Sequence, residues 1–319
     1  MLTEYSKVYS PVYHDLVEIT KDHERVHWTE AEVKLGADVE QWKQGKITAK
    51  EKDLISNILR LFTASDVAVG SNYYDRIIPV IKNNEARNML GSFAGREGTH
   101  QRAYALLSDT LGFGEDFHWE FFQYHEMVEK YEYMVSQTDD THAGFASFLA
   151  KQTLVEGVNL FASFAILLNF DRLGKLPGMC DVVRWSQIDE GIHLQGNTTL
   201  FRIFLDEHPE IVTEDFKREI YLCAQRLVEL EDAFIDKAFE LGGMDNVSKE
   251  EIKQYVRYVT DYRMNQLGFK KNWNIKVHPI PWIDALMGKT FGSFFEREIS
   301  EYAKDNLSGS FAGAYNQEG

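Results

Sequence analysis

Apolar residues recur at three- and four-residue spacing through most of the chain, and no run of alternating β-branched residues bounded by turns interrupts them. The pattern predicts an all-α fold. The first long helix opens at Thr48-Ala-Lys-Glu51, where a threonine and a glutamate three residues on can cap reciprocally, and is expected to run to about Pro79. Others are expected from near Asn84 to Gly112, at about 116–137, 141–171 and 178–207, and from Thr213 to Gly242-Gly243. The last opens with a second capping box, Ser248-Lys-Glu-Glu251, and ends at Gly268. Helices this long on short connections suit an antiparallel bundle in which each buries a stripe on its neighbours. Nothing between them reads as a linker, so residues 1–305 are expected to form one domain, with the mixed stretch 1–45 lying along the bundle. Residues 306–319 are rich in Gly, Ser and Ala and read as a flexible tail.

Composition narrows the function. The 34 basic and 50 acidic residues leave a net charge of −16, which repels a nucleic-acid backbone and an anionic membrane surface alike. Neither is an expected partner. The longest apolar stretch, Leu160 to Phe170, is short for a membrane span, and the first residues show no secretory pattern, so a cytoplasmic location is expected. The 2 cysteines, Cys180 and Cys223, are too far apart for a CxxC pair and too few for a disulfide framework. Any thiol chemistry is expected to belong to a partner.

The chemistry lies in two ExxH motifs, Glu97-Gly-Thr-His100 and Glu190-Gly-Ile-His193. On a helix this spacing sets a carboxylate and an imidazole side by side one turn apart. One copy would mean little, but two in long helices suggest a carboxylate-bridged dinuclear centre, which needs one further acid from each of two other helices. Asp66, within Leu-Phe-Thr-Ala-Ser-Asp-Val-Ala-Val-Gly, and Glu156, within Leu-Val-Glu-Gly-Val-Asn-Leu-Phe, are acids embedded in core-like sequence. Burying even one uncompensated polar group costs roughly 2–7 kcal/mol, so four carboxylates together must take up protons or cations. Oxygen-rich donors with two nitrogens and no thiolate suit iron or manganese better than structural zinc or copper. Each of the three glutamates is followed by glycine, Gly98, Gly157 and Gly191, which implies either close helix approach or room for the carboxylates to move.

These residues resemble the radical-generating small subunit of class I ribonucleotide reductase, over nearly the whole chain. The likeness rests on Asp66, on Glu97-Gly-Thr-His100 with Tyr104 following, on Glu156, and on Asp189-Glu190-Gly-Ile-His193, which matches the family's DExxH signature. It implies a ferritin-like bundle, dimeric, with Asp66, Glu97 and His100 on one metal, Glu156, Glu190 and His193 on the other, and Glu97 and Glu190 bridging. Tyr104 matches the radical tyrosine. Trp28 and Asp189 match the electron-transfer tryptophan and its acid, and Tyr302 matches the tyrosine that relays oxidation between subunits. The resemblance further implies an oxygen species as oxidant and a separate large catalytic subunit that reduces ribonucleotides, on which Phe311 and Tyr315 of the tail would dock. One position departs from the pattern: Leu160 and Phe164 match the apolar wall around the tyrosine, but Ser186 is polar where the family commonly has an aliphatic residue. A wetter wall shortens a tyrosyl radical's life, which raises a variant in which the metal pair, a dimanganese one included, stores the oxidant. A dinuclear oxygenase or desaturase and a ferritin-like metal storage protein are the rival readings; the first needs an apolar substrate channel, and the second gives Tyr104 and Trp28 no role.

Overall fold

A computed structural model describes residues 1–136 and 138–286 of the chain. Its ten principal helices are α1 (His14–Arg25), α2 (Gly36–Lys43), α3 (Ala49–Asn72), α4 (Asn84–Leu111), α5 (His125–Val135), α6 (His142–Leu154), α7 (Leu160–Arg172), α8 (Pro177–Glu207), α9 (Glu214–Ala238) and α10 (Lys249–Gln266). No strand forms among the described residues; a single bridge joins Met244 and Val247. Tyr302, Phe311 and Tyr315 lie outside the described residues.

The caps read from sequence are in place. Thr48 and Ser248 each exchange hydrogen bonds with the glutamate three residues on, and α4 stops at Gly112, whose φ of +89° an L side chain rarely adopts. Side-chain oxygens of Asn83, Thr141 and Thr213 accept from the first turns of α4, α6 and α9. These caps fix where each long helix begins and so the height at which its inward residues meet those of its neighbours.

One expectation needs correction. The helix expected at 116–137 is broken into a short helix at Asp116–Trp119, a 3-10 turn at Glu120–Gln123 and α5, with Tyr124 extended between them. A continuous helix would set Phe121 and Met127 about 120° apart around its axis; the break lets both reach the core, where they are buried. Part of the stretch before residue 45 is helical and lies along the bundle. There α1 packs on α4 and α8, burying Leu16, Ile19 and His23.

Two π turns interrupt the long helices. Tyr73–Ile77 continues α3, and Val155–Asn159 joins α6 to α7. Together His142 to Arg172 form a helical run long and apolar enough to cross a membrane, longer than the Leu160–Phe170 stretch suggested, but its most apolar window is wholly buried inside the bundle.

Candidate dinuclear metal centre

Four neighbouring helical segments deliver the six predicted ligands to one place. Asp66 comes from α3, Glu97 and His100 from α4, Glu156 from the second π turn, and Glu190 and His193 from α8; all six are buried. The contacts are reciprocal. Nδ1 of His100 lies 3.5 Å from Oε2 of Glu97 and 3.2 Å from Oε1 of Glu190, while Nδ1 of His193 lies 3.1 Å from Oε1 of Glu97 and 3.4 Å from Oε2 of Glu190. Each of these glutamates thus offers one oxygen to each imidazole, the arrangement a bridging carboxylate requires. Glu156 stands on the His193 side, its Oε2 4.0 Å from Nδ1.

Both oxygens of Glu97 and of Glu190, Oδ2 of Asp66 and Nδ1 of His193 are buried without a hydrogen-bond partner. Leaving so many polar atoms unmatched is costly unless cations engage them, and the donor set fits two hard or borderline metal ions. The electrostatics agree. Burial, reinforced by Glu97, raises the Asp66 carboxyl well above the usual carboxylate range, and burial with Glu190 does the same to Glu156. Burial opposes charge on the imidazoles, yet Asp189, Glu190 and Glu97 hold His100 well above its ordinary value, and Glu190 and Glu97 hold His193 up at about 10. Burial opposes charge on Glu97 too, but the two imidazoles bring it down to about 2. Protons on imidazoles and outer carboxyls can balance this cluster; two dications would replace them.

The surroundings orient the ligands. Oδ2 of Asp189 accepts from Trp28 Nε1 at 2.7 Å and stands 3.1 Å from Nε2 of His100, while Arg96 Nη1 lies 3.2 Å from both Asp189 oxygens. The Trp28 ring stacks on His100 with centroids 5.9 Å apart. Tyr104 is buried, packs on Phe62, and donates its hydroxyl to Ser186 Oγ at 3.2 Å. The serine singled out in the sequence is therefore the phenol's own partner. Burial and the nearby Asp66 charge push the phenol pKa up, so it stays protonated.

His23 and Tyr73 are among the residues that escaped the sequence reading. His23, on α1, has Nε2 3.2 Å from Nε2 of His193 and Nδ1 2.8 Å from Ser92 Oγ. With Nδ1 of His193 turned to the carboxylates, its Nε2–H can donate to His23, and His23 to Ser92, which fixes both tautomers. Burial, with His193 and Arg96 nearby, pushes the His23 pKa down to about 2, so it is neutral and able to accept. Replacing His23 by leucine is expected to weaken metal affinity about 10- to 100-fold, as loss of an orienting partner does, measured by chelator competition. Tyr73, in the first π turn, donates to Glu156 Oε2 at 3.0 Å and accepts from Asn197 at 2.7 Å. The two π turns therefore meet across the site, and no helical periodicity could have announced it.

The glycines divide. A Cβ on Gly157 would lie 2.8 Å from Arg263 Nε and from Leu194 Cδ2, whereas on Gly98 it would meet only Arg102 Nη1, at 3.5 Å. Close approach thus explains Gly157. Gly157→Ala is expected to cost about 1–3 kcal/mol by overpacking and to displace Glu156, read as a lower thermal midpoint and reduced metal uptake. Gly98→Ala should leave both unchanged; a matching loss there would favour carboxylate movement as that glycine's purpose.

Comparison with known proteins agrees with this geometry. The family described as ribonucleotide reductase, small chain, matches residues 6–279. A probable ribonucleoside-diphosphate reductase small subunit of Invertebrate iridescent virus 6 is 32% identical over 342 aligned positions, covering 92% of this chain and 93% of the viral one. Among solved structures, the ribonucleotide reductase R2 subunit from Clostridium botulinum superposes with a TM-score of 0.80 at 19% identity, covering 86% of this chain and 88% of that one. The dimanganese(II) NrdF of Streptococcus sanguinis does so at 0.74 and 17%, covering 87% and 97%. With its predicted ligands gathered at the bundle's centre and its length matched almost end to end, this chain belongs to the ribonucleotide reductase small-chain family.

Proposed function

We propose that Asp66, Glu97, His100, Glu156, Glu190 and His193 hold two metal ions, iron or manganese, which an oxygen species oxidises to provide the oxidising equivalent used by a large catalytic subunit to reduce ribonucleotides to deoxyribonucleotides. The observation that carries this reading is the contact of Glu97 and Glu190 with both imidazoles through four oxygens that no hydrogen bond satisfies. When bound, the metal pair supplies one-electron redox chemistry. The chain's own residues manage charge and protons around it. Asp189 joins Trp28 Nε1–H to Nε2 of His100, so a proton on this line can shift as an electron moves through the indole, and Arg96 balances the aspartate's charge. Tyr302 continues the route, residues 306–319 dock the large subunit, residues 1–305 form the bundle domain, and two chains pair as a homodimer.

Ser186 supports storage of the oxidant on the metal pair, because its hydroxyl contacts Tyr104 where an apolar wall would protect a tyrosyl radical. The fold neighbour with two manganese ions is consistent with this reading. The family match favours the reductase over the oxygenase and storage readings. The test is an electron paramagnetic resonance spectrum of the oxidised protein with metal content determined on the same sample. A multiline manganese signal without an organic doublet assigns storage to the metal pair; an organic doublet with iron assigns it to Tyr104. A chain that takes up no metal and gives neither signal refutes the proposal.

A further inference from the structure

A second group of metal-binding side chains lies far from the dinuclear centre. One ligand atom from each of His142, His208 and Glu210 lies within 4.8 Å of the others. The two imidazole rings lie side by side, tilted by 50° with centroids 4.1 Å apart, and Nδ1 of His208 stands 3.4 Å from the Glu210 carboxylate. Nε2 of His208 is buried and has no hydrogen-bond partner.

The backbone holds these residues in place. His142 is the first residue of α6, whose start is fixed by the Thr141 cap, itself bonded to Asp139. His208 closes α8, its N–H bonded to the carbonyls of Phe204 and Leu205, and Pro209 keeps that helix from continuing. Glu210 sits in the Pro209–Ile211 turn, pinned by the buried Ile211. Phe204 packs edge-on against His142 at 5.8 Å and beside His208 at 4.7 Å, so one aromatic ring positions both imidazoles.

We infer that His142, His208 and Glu210 bind one borderline dication of the zinc type. Two imidazoles and one carboxylate with an open fourth position is a ligand set zinc accepts, with metal bonds of about 2.0–2.2 Å. The donor atoms must draw together by about an ångström to reach that geometry, a movement that exposed His142 and Glu210 are free to make. A surface cavity of about 520 Å³ that His142 lines also carries Asp75, Asp139 and Asp140 beside Arg76, an acidic approach for a cation. Nitrogen outnumbers oxygen here, the reverse of the dinuclear centre, so the two sites favour different metals.

The location gives the site a consequence. Helix α6 runs from His142 into the turn that carries Glu156, and α8 carries Glu190 and His193 before it ends at His208. At 1.5 Å per residue the outer site lies about 20 Å along both helices from the dinuclear centre. A bound ion therefore ties together the far ends of α8 and of the helix that leads into the turn carrying Glu156.

The test titrates metal-free full-length protein with Zn²⁺ against a chromophoric chelator, comparing wild type with His142→Ala and Glu210→Gln. Both replaced side chains are exposed, so the variants are expected to fold. Each variant should take up one zinc fewer per chain, or bind that zinc at least tenfold more weakly, and should lose part of the zinc-induced rise in thermal midpoint. Uptake of the same number of ions with unchanged affinity in wild type and both variants would overturn the inference and leave the dinuclear reading untouched.

Discussion

Glu190→Ala should reduce metal content from two ions per chain to one or none and should lower turnover with the large subunit by more than about 100-fold, beyond what loss of an orienting partner costs. Glu190 offers Oε1 toward His100 and Oε2 toward His193, so its removal takes an oxygen from both metal positions at once. The same substitution at Asp66, which the proposed ligand set puts on the His100 side only, should spare part of the second position. Metal analysis after desalting, with circular dichroism to confirm folding, separates the two cases. Two firmly held ions in Glu190→Ala would show that the glutamate does not bridge.

Trp28→Phe should leave metal content and the oxidised-state spectrum unchanged while reducing turnover about 10²- to 10⁴-fold, the range associated with loss of a positioned proton transfer. Phenylalanine keeps an aromatic ring against His100 but lacks the Nε1–H that Asp189 accepts at 2.7 Å. This replacement is a cleaner probe than removing Asp189. Without that carboxylate, the buried Arg96 loses its ion-pair partner, a loss that costs about 3–5 kcal/mol when one member of a buried pair is deleted. Normal turnover in Trp28→Phe would move the electron route elsewhere, with the adjacent Trp185, 5.3 Å from Trp28 between ring centroids, as the next indole to replace.

What the chain encodes locally was legible in its sequence. An ExxH pair needs only 3.6-residue periodicity to set carboxylate and imidazole together, and an acid within an apolar run, such as Asp66 or Glu156, identifies itself because burial would otherwise be prohibitive. Helix starts were equally readable, since Thr48 and Ser248 carry their capping partners three residues away. Ser186 stood out only through the family resemblance, as a polar residue at a position that is commonly aliphatic, and its contact with Tyr104 came from the structure. The tertiary structure decided what depends on distant segments meeting. His23 reaches His193 across 170 residues, and its own helix looks unremarkable until it lies on the bundle. The π turns at Tyr73–Ile77 and Val155–Asn159 each shift the helical register, so the Tyr73 contact with Glu156 follows no repeat. The break at Tyr124 arose likewise, from the need to bury Phe121 and Met127 together. Backbone periodicity is set by neighbours in the chain and can be read along it, whereas the partners that orient ligands are set by which helices pack, and that is settled only when the whole core closes.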